Sequence, residues 1–302
     1  MSNKNKFKIC FIGLGVMGSR ISKNIARNEF NIAMYDINPS TREEFRKSGY
    51  NTPKDCLSAA KNSDMVVTML PTSKIVNDVI FGLNLGGKSI IDIVNKNCLF
   101  IDMTTGSLSD LIVLNKKLID CGHRLIDAPV GRSPKEAELG KSLVMAGGKD
   151  SDIAEAKPVF DTFADLVVHV GGIGDGLRLK LVNNYMAMVN HVLTGEVLAF
   201  AKSTGLNRDV VVAVLSSTAA GKGQLLTNYP KKVLVGDTSP DFSIKMGLKD
   251  LNMALELASN FNFDPKFGQL SHSFFSDANN SGIGDQDCTA ILNHFDSKIV
   301  SK

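Results

Sequence analysis

The sequence has no CxxC pair, no block of like charge, no apolar stretch long enough to cross a bilayer and no HxxxH. Each absence removes a class of function. With 34 basic residues against 31 acidic ones, the charge is near balance and offers neither a track for nucleic acid nor an acidic tail. No segment reaches the roughly 18 to 20 apolar residues of a membrane span, and the apolar run that follows MSNKNK is short and interrupted by glycines, unlike a secretory signal. Cys10, Cys56, Cys98, Cys121 and Cys288 are odd in number and scattered, as expected of reduced thiols serving as small apolar fillers in a cytoplasmic protein. His123, His169, His272 and His294 lie far apart with no carboxylate cluster beside them, so no metal site is expected. A small molecule is the partner left, with no nucleic acid and no membrane.

A chain of 302 residues is long for one small core, so two domains are the default. From residue 7 to about 170, the short apolar runs KICFIGLG, NIAMYD, MVVTML, SIIDIV, CLFIDM and RLIDAPV alternate with amphipathic segments such as VMGSRISKNIARNEF and TREEFRKSG. That alternation predicts an α/β fold, a doubly wound parallel Rossmann sheet with helices on both faces. LVMAGG and LVVHVGG extend the sheet up to the joint GGIGDG at 171–176, where the β pattern stops. A proline-free stretch at helical spacing then predicts one long helix over 175–204, followed by helices near 207–217, 243–260 and 265–280. The expected organisation is an NAD-binding domain over 1–173 and an all-helical substrate and oligomerisation domain over 174–302, joined by the long helix.

Gly13-Leu14-Gly15-Val16-Met17-Gly18 follows an apolar strand and opens a helix, and the next strand ends in Asp36. A lone GxGxxG is weak, but strand, helix, second strand and terminal acid together are the context of a dinucleotide site. Gly13 permits the tight turn, Gly15 lets the backbone approach the pyrophosphate, and Gly18 lets the helix pack on the strand, whose partner helix offers its N-terminal N–H groups to the phosphates. Asp36 suits both ribose hydroxyls of NAD and repels the extra phosphate of NADP, with Arg42 as the only neighbour able to offset it. Ligands lie off the carboxyl ends of strands in such sheets, which adds Leu70 and Pro71 as a wall and the hydroxyl of Thr105 as a contact near the nicotinamide.

On the long helix, Lys180, Asn183, Asn184 and Ala187 fall at i, i+3, i+4 and i+7 and share one face. A lysine and two amides on an otherwise apolar helix are costly to bury without a purpose. An amine whose pKa is lowered by partial burial can donate a proton to the alkoxide formed by hydride transfer, while the asparagines hold the substrate's oxygens. His191, one turn beyond Ala187, is the rival acid. Arg132, in APVGRSPKEAELG, places a permanent charge in a turn rich in glycine and proline; its forked donors match a tetrahedral oxyanion, and the alternative is a surface ion pair with Glu136 or Glu138.

FIGLGVMG, MLP, DMTT, DAPV, KLVNN and LKDL, in this order from about residue 7 to 295, resemble the β-hydroxyacid dehydrogenases, which include 3-hydroxyisobutyrate dehydrogenase and tartronate semialdehyde reductase. The resemblance implies a Rossmann domain and a helical domain assembled as homodimers or homotetramers through the long helix. It makes Lys180 the catalytic acid/base, gives Asn184 an assisting role and brings Lys249 of LKDL to the cofactor. The usual serine and two glycines after DAPV are replaced here by Gly131-Arg132-Ser133. With NNYM at 183–186 and STAAGKG at 217–223, that departure is similar to one branch, the 3-sulfolactaldehyde reductases, in which an arginine after the glycine binds the sulfonate. By this likeness Arg132, Asn183, Asn184, Tyr185, Met186 and Ala187 line the substrate, Ala187 standing where that branch has a serine. The implied reaction is the NADH-dependent reduction of a small anionic aldehyde, 3-sulfolactaldehyde. Carboxylate semialdehydes, a cyclic imine and a non-catalytic NAD-binding assembly role are the alternatives.

Overall fold

The computed structural model describes residues 7–82 and 88–299. The outer limits of the expected domains at 1 and 302, and the start of the N-terminal segment, lie outside these residues. The described chain divides into two compact units, one reaching Tyr185 and one beginning at Met186.

The first unit is built on strands β1 (Lys8–Ile12), β2 (Asn31–Tyr35), β3 (Met65–Thr68), β4 (Leu99–Asp102), β5 (Arg124–Asp127), β6 (Val130–Gly131), β7 (Ser142–Gly147) and β8 (Ala164–Gly171). They form one sheet in the order β2-β1-β3-β4-β5-β7-β6, with β8 pairing β7. Helices α1 (Gly18–Arg27), α2 (Pro39–Lys47), α3 (Cys56–Ala60), α4 (Ser73–Ile80), α5 (Leu108–Asp120), α6 (Pro134–Glu138) and α7 (Asp150–Phe160) connect them. Strand β1 explains the layering: Ile9 and Phe11 enter one buried cluster with Met34 and Phe160, whereas Cys10 and Ile12 enter a second with Val66 and Leu111. Alternate residues of a strand face opposite sides, so a strand apolar throughout is covered on both faces. Each fully buried side chain of this size contributes ~1.5–3 kcal/mol.

Two expectations are corrected. The sheet is mixed, not wholly parallel: β1 to β5 are parallel, but β7 runs antiparallel to β5 and β6, with Val130 opposite Val144. The link from β6 to β7 holds only the short α6, and a short link reverses the chain, whereas a parallel return needs a crossover of a dozen residues or more. Helix α7 supplies such a crossover, and β8 is parallel to β7. The run SIIDIV is not a strand; Ile90–Asp92 forms a 3-10 turn with Ile90 buried. Strand β3 already pairs β1 on one side and β4 on the other, which leaves no edge for it there.

Helix α8 spans Asp175–Ser203, close to the expected long helix, and passes from the first unit into the second. The compact units part after Tyr185, inside α8, where the sequence places the boundary after residue 173. Leu177 is buried with the sheet's second cluster, so the first turns of the helix belong to that core. The second unit comprises the rest of α8 with α9 (Arg208–Ser217), α10 (Ala219–Lys222), α11 (Ile244–Asn260), α12 (Lys266–Ala278) and α13 (Ile291–Asp296). Its fixed points include Glu196, whose carboxylate accepts the N–H groups of Phe267 at 2.9 Å and Gly268 at 3.1 Å and so caps α12 from the neighbouring helix. Among the described residues no helix is long and apolar enough to cross a membrane.

Candidate active site

The turn after β1 is closed by backbone contacts that tolerate only glycine at two positions. Gly13, at φ +104°, donates its N–H to Tyr35 O at 2.9 Å, and a Cβ there would lie 2.2 Å from Met69 O. A Cβ on Gly18 would lie 2.0 Å from Gly13 O. At Gly15 the added carbon would meet nothing within 4 Å, so the loop is open on that side at the start of α1, where unpaired N–H groups favour a pyrophosphate.

A cavity of about 600 Å³ faces this turn and gathers Gly13, Gly15, Val16, Met17, Gly18, Asp36, Leu70 and Pro71. Its apolar wall includes Tyr35, Cys56, Ile75 and Val79, which suits a flat heterocycle. Leu14 faces a neighbouring cavity, and its N–H donates to Asp36 Oδ2 at 2.7 Å. Asn38 N–H donates to Asp36 Oδ1 at 2.8 Å, so both carboxylate oxygens are oriented at the strand end. Arg42 is committed elsewhere: its Nη1 donates to Asp36 O at 2.6 Å and Ile37 O at 3.0 Å, and its guanidinium lies over the Tyr35 ring. The turn, the cavity and the acid at the end of β2 thus fit NAD.

Sequence reasoning passed over the buried row beside this cavity. Thr68, Asp102 and Asp127 are in register at the ends of β3, β4 and β5. Thr68 Oγ1 and Thr104 N–H donate to Asp102 Oδ1 at 2.9 and 3.0 Å, and Thr104 Oγ1 accepts Leu70 N–H at 3.1 Å. Burial pushes the Asp102 carboxyl up to about 6, against the lowering effect of these hydrogen bonds. Thr104, not Thr105, therefore joins the two strand ends; Thr105 is exposed and makes no hydrogen bond among the described residues. The available signal was an acid closing each of two apolar strands, FID and LID, since carboxylates are rarely buried.

Asp127 reaches across to α8. Its Oδ1 accepts Gly174 N–H at 2.6 Å and its Oδ2 accepts Leu177 N–H at 2.7 Å. One turn further along, Lys180 is half-buried and makes no hydrogen bond or ion pair among the described residues. Burial lowers its pKa from the ordinary 10.5. Asn184 and Ala187, at i+4 and i+7 from Lys180, are partly sheltered as well, whereas Asn183, Tyr185 and Met186 are exposed. Asn183 Nδ2 donates to Asn184 Oδ1 at 3.3 Å. His191 is exposed. Lys249, on α11 in the second unit, pairs with Asp250 at 3.1 Å.

Arg132 follows β6 with φ at +74°, a left-handed conformation unusual for a side-chain-bearing residue. Its Nη1 donates to Lys141 O at 2.6 Å and to Asp165 Oδ1 at 2.5 Å. The ion pair is thus with Asp165 of β8, not with the sequence neighbours Glu136 or Glu138. Glu136 closes a capping box with Ser133 at the start of α6, and Glu138 lies 3.7 Å from Arg20 Nε. Among the described residues Nε and Nη2 of Arg132 have no partner, so the side of the guanidinium that grips oxyanions in a fork is free.

Rossmann turn, strand-end acid and apolar cavity define an NAD-dependent oxidoreductase. Residues 8–172 match the NAD binding domain of 6-phosphogluconate dehydrogenase, and residues 174–295 match the NAD-binding region of NADP-dependent 3-hydroxyisobutyrate dehydrogenase. The chain belongs to the 3-hydroxyisobutyrate dehydrogenase family. It is 34% identical over 284 residues to the 3-sulfolactaldehyde reductase of Escherichia coli K12, covering 94% of each chain. To the mitochondrial 3-hydroxyisobutyrate dehydrogenase of Drosophila melanogaster it is 28% identical, covering 94% of this chain and 87% of that one. The solved 3-hydroxyisobutyrate dehydrogenase of Mycobacterium tuberculosis with L-serine shares the fold, at TM-score 0.65 and 24% identity, covering 96% of this chain and 99% of that one. Its relatives are thus dehydrogenases and reductases of small hydroxy acids and aldehydes.

Proposed function

We propose that this enzyme reduces 3-sulfolactaldehyde to 2,3-dihydroxypropane-1-sulfonate with NADH. The observation that carries the reading is Arg132, held through one nitrogen with its oxyanion-binding fork free. The relative named 3-sulfolactaldehyde reductase supports it. When bound, the dihydronicotinamide supplies the hydride. Lys180, as an ammonium, gives its proton to the oxygen that becomes the alcohol and recovers one from solvent. Asn183 and Asn184 hold the substrate's oxygens, with Tyr185, Met186 and Ala187 as the surrounding wall, and Arg132 fixes the sulfonate. Lys249 is assigned to the cofactor and Thr105 to its nicotinamide end. Exposed apolar residues along α8, among them Val182 at 65%, Met188 at 58% and Val192 at 56% exposure, support a homodimer or homotetramer. The unpaired thiols suit the cytoplasm.

The second reading is a carboxylate semialdehyde, because a guanidinium binds either anion. Rates with 3-sulfolactaldehyde and with methylmalonate, tartronate and succinic semialdehydes separate them. The expected kcat/KM is at least about tenfold higher for the sulfonate, equivalent to ~1.4 kcal/mol; preference for a carboxylate overturns the reading, and NADH binding without any turnover indicates a non-catalytic role.

Asp36 carries the choice of NADH over NADPH. In Asp36→Ala the repulsion of a 2′-phosphate is gone, and the NADPH-to-NADH ratio of kcat/KM is expected to rise roughly tenfold or more, the effect of ~1.4 kcal/mol. An unchanged ratio in steady-state assays assigns the selectivity elsewhere.

A further inference from the structure

We infer that Asp127 is a positioning residue for proton transfer: clamped on the first turn of α8, its carboxylate fixes where Lys180 stands at the carboxyl edge of the sheet. The inference rests on Lys180 as the proton donor in the reaction proposed above.

The first N–H groups of a helix have no partner inside it, and a side chain at the helix start normally accepts them. Here the residue before α8 is Gly174, which has no side chain to offer. Asp127 takes that role from β5, 47 positions earlier for Gly174, with bonds of 2.6 and 2.7 Å to the N–H groups of Gly174 and Leu177. One carboxylate oxygen serves each donor. Negative charge at this end also opposes the helix dipole favourably.

The joint has no slack. Asp127 is 1% exposed. A Cβ on Gly147 would lie 2.5 Å from Asp127 Oδ1, and one on Gly176 would lie 2.9 Å from Oδ2 and 2.3 Å from Met145 O. Glycines at 147 and 176 thus let two strands and the helix start close around one carboxylate. No cation is within ion-pair distance of Asp127 among the described residues. Its charged neighbours are Asp102 on β4 and Asp175 on α8, both of its own sign. The backbone N–H groups are therefore what the carboxylate serves. Lys180 lies three residues beyond the clamped Leu177, on the same side of the helix, and has no bond of its own to hold it.

The test uses the full-length enzyme with 3-sulfolactaldehyde and NADH. Asp127→Asn keeps the shape but turns an NH2 group toward one of the two N–H donors. It is expected to lower kcat about 10- to 100-fold, with KM for the aldehyde and Kd for NADH within about twofold. The solvent deuterium isotope effect on kcat is expected to rise, because proton transfer becomes the slow step. Asp127→Glu, which keeps the charge but displaces it, is expected to show the same pattern and serves if the asparagine variant does not fold. In a Lys180→Ala background, Asp127→Asn should add no further loss. Loss that multiplies in the double variant, an unchanged isotope effect, or a rise in both KM and the Kd for NADH alongside the fall in kcat overturns the inference. A Lys180→Ala enzyme that still turns over at full rate overturns instead the assignment of Lys180 on which the inference rests.

Discussion

Lys180→Ala is expected to lower kcat by about 100- to 10,000-fold, the usual worth of a positioned general acid, with NADH affinity retained. The size follows from the surroundings of the amine. Lys180 is half-buried without a hydrogen bond or counter-ion among the described residues, and burial alone accounts for its lowered pKa. A carboxylate partner would have raised that pKa and made the proton harder to give. For reduction the donor is the charged ammonium. Rate is therefore full below its pKa and falls as pH rises through it, and the falling limb lies below the 10.5 of an ordinary lysine. A pH profile of kcat for the wild type, set beside the residual activity of Lys180→Ala, checks both parts. Full activity in the variant transfers the role to His191, the rival candidate on α8.

Arg132→Ala is expected to lower kcat/KM for the sulfonated aldehyde by about 2 to 5 kcal/mol, or roughly 30- to several-thousand-fold, the cost of removing one partner from a charge-assisted pair. NADH binding should not change, because the cavity that faces the glycine-rich turn does not include Arg132. Arg132→Lys should recover only part of the loss, since an ammonium supplies charge without a planar fork. Arg132→Gly provides a control on folding. The residue sits at φ +74°, where glycine removes backbone strain, so this variant should keep or raise Tm while losing the substrate. Unaltered kcat/KM in all three variants removes the anion from Arg132, and a fall in Tm that tracks the loss of activity makes the effect structural.

Much of this site is legible in the sequence because its signals are local. The Gly13 to Gly18 turn, Asp36 at the next strand end and the uninterrupted helical spacing from 175 each depend on residues close in the chain. What stayed hidden depends on distant partners. Arg132 pairs with Asp165, 33 positions away, while the nearer Glu136 is taken by the capping box at Ser133. Asp127 reads as the end of an apolar strand until Gly174 and Leu177 are brought to it. Thr104 and Thr105 differ by one position, and in extended chain one position reverses the side a residue faces. SIIDIV carries the apolar run of a buried strand, and a short run of this kind does not distinguish a strand from a core-filling turn.

The reversal of the chain at β6 and β7 sets Arg132 apart from the dinucleotide turn. Arg132 lies on a short link that leaves the sheet after β6 and rejoins it at β7, residues 132–141, tied down by the Ser133 capping box. The nucleotide-facing residues belong to other loops. A link this short costs little loop-closure entropy, and its contents can be exchanged without redrawing the dinucleotide turn. With Arg132 as the proposed anion anchor, the charge presented to a substrate tail becomes a local and replaceable feature of this chain.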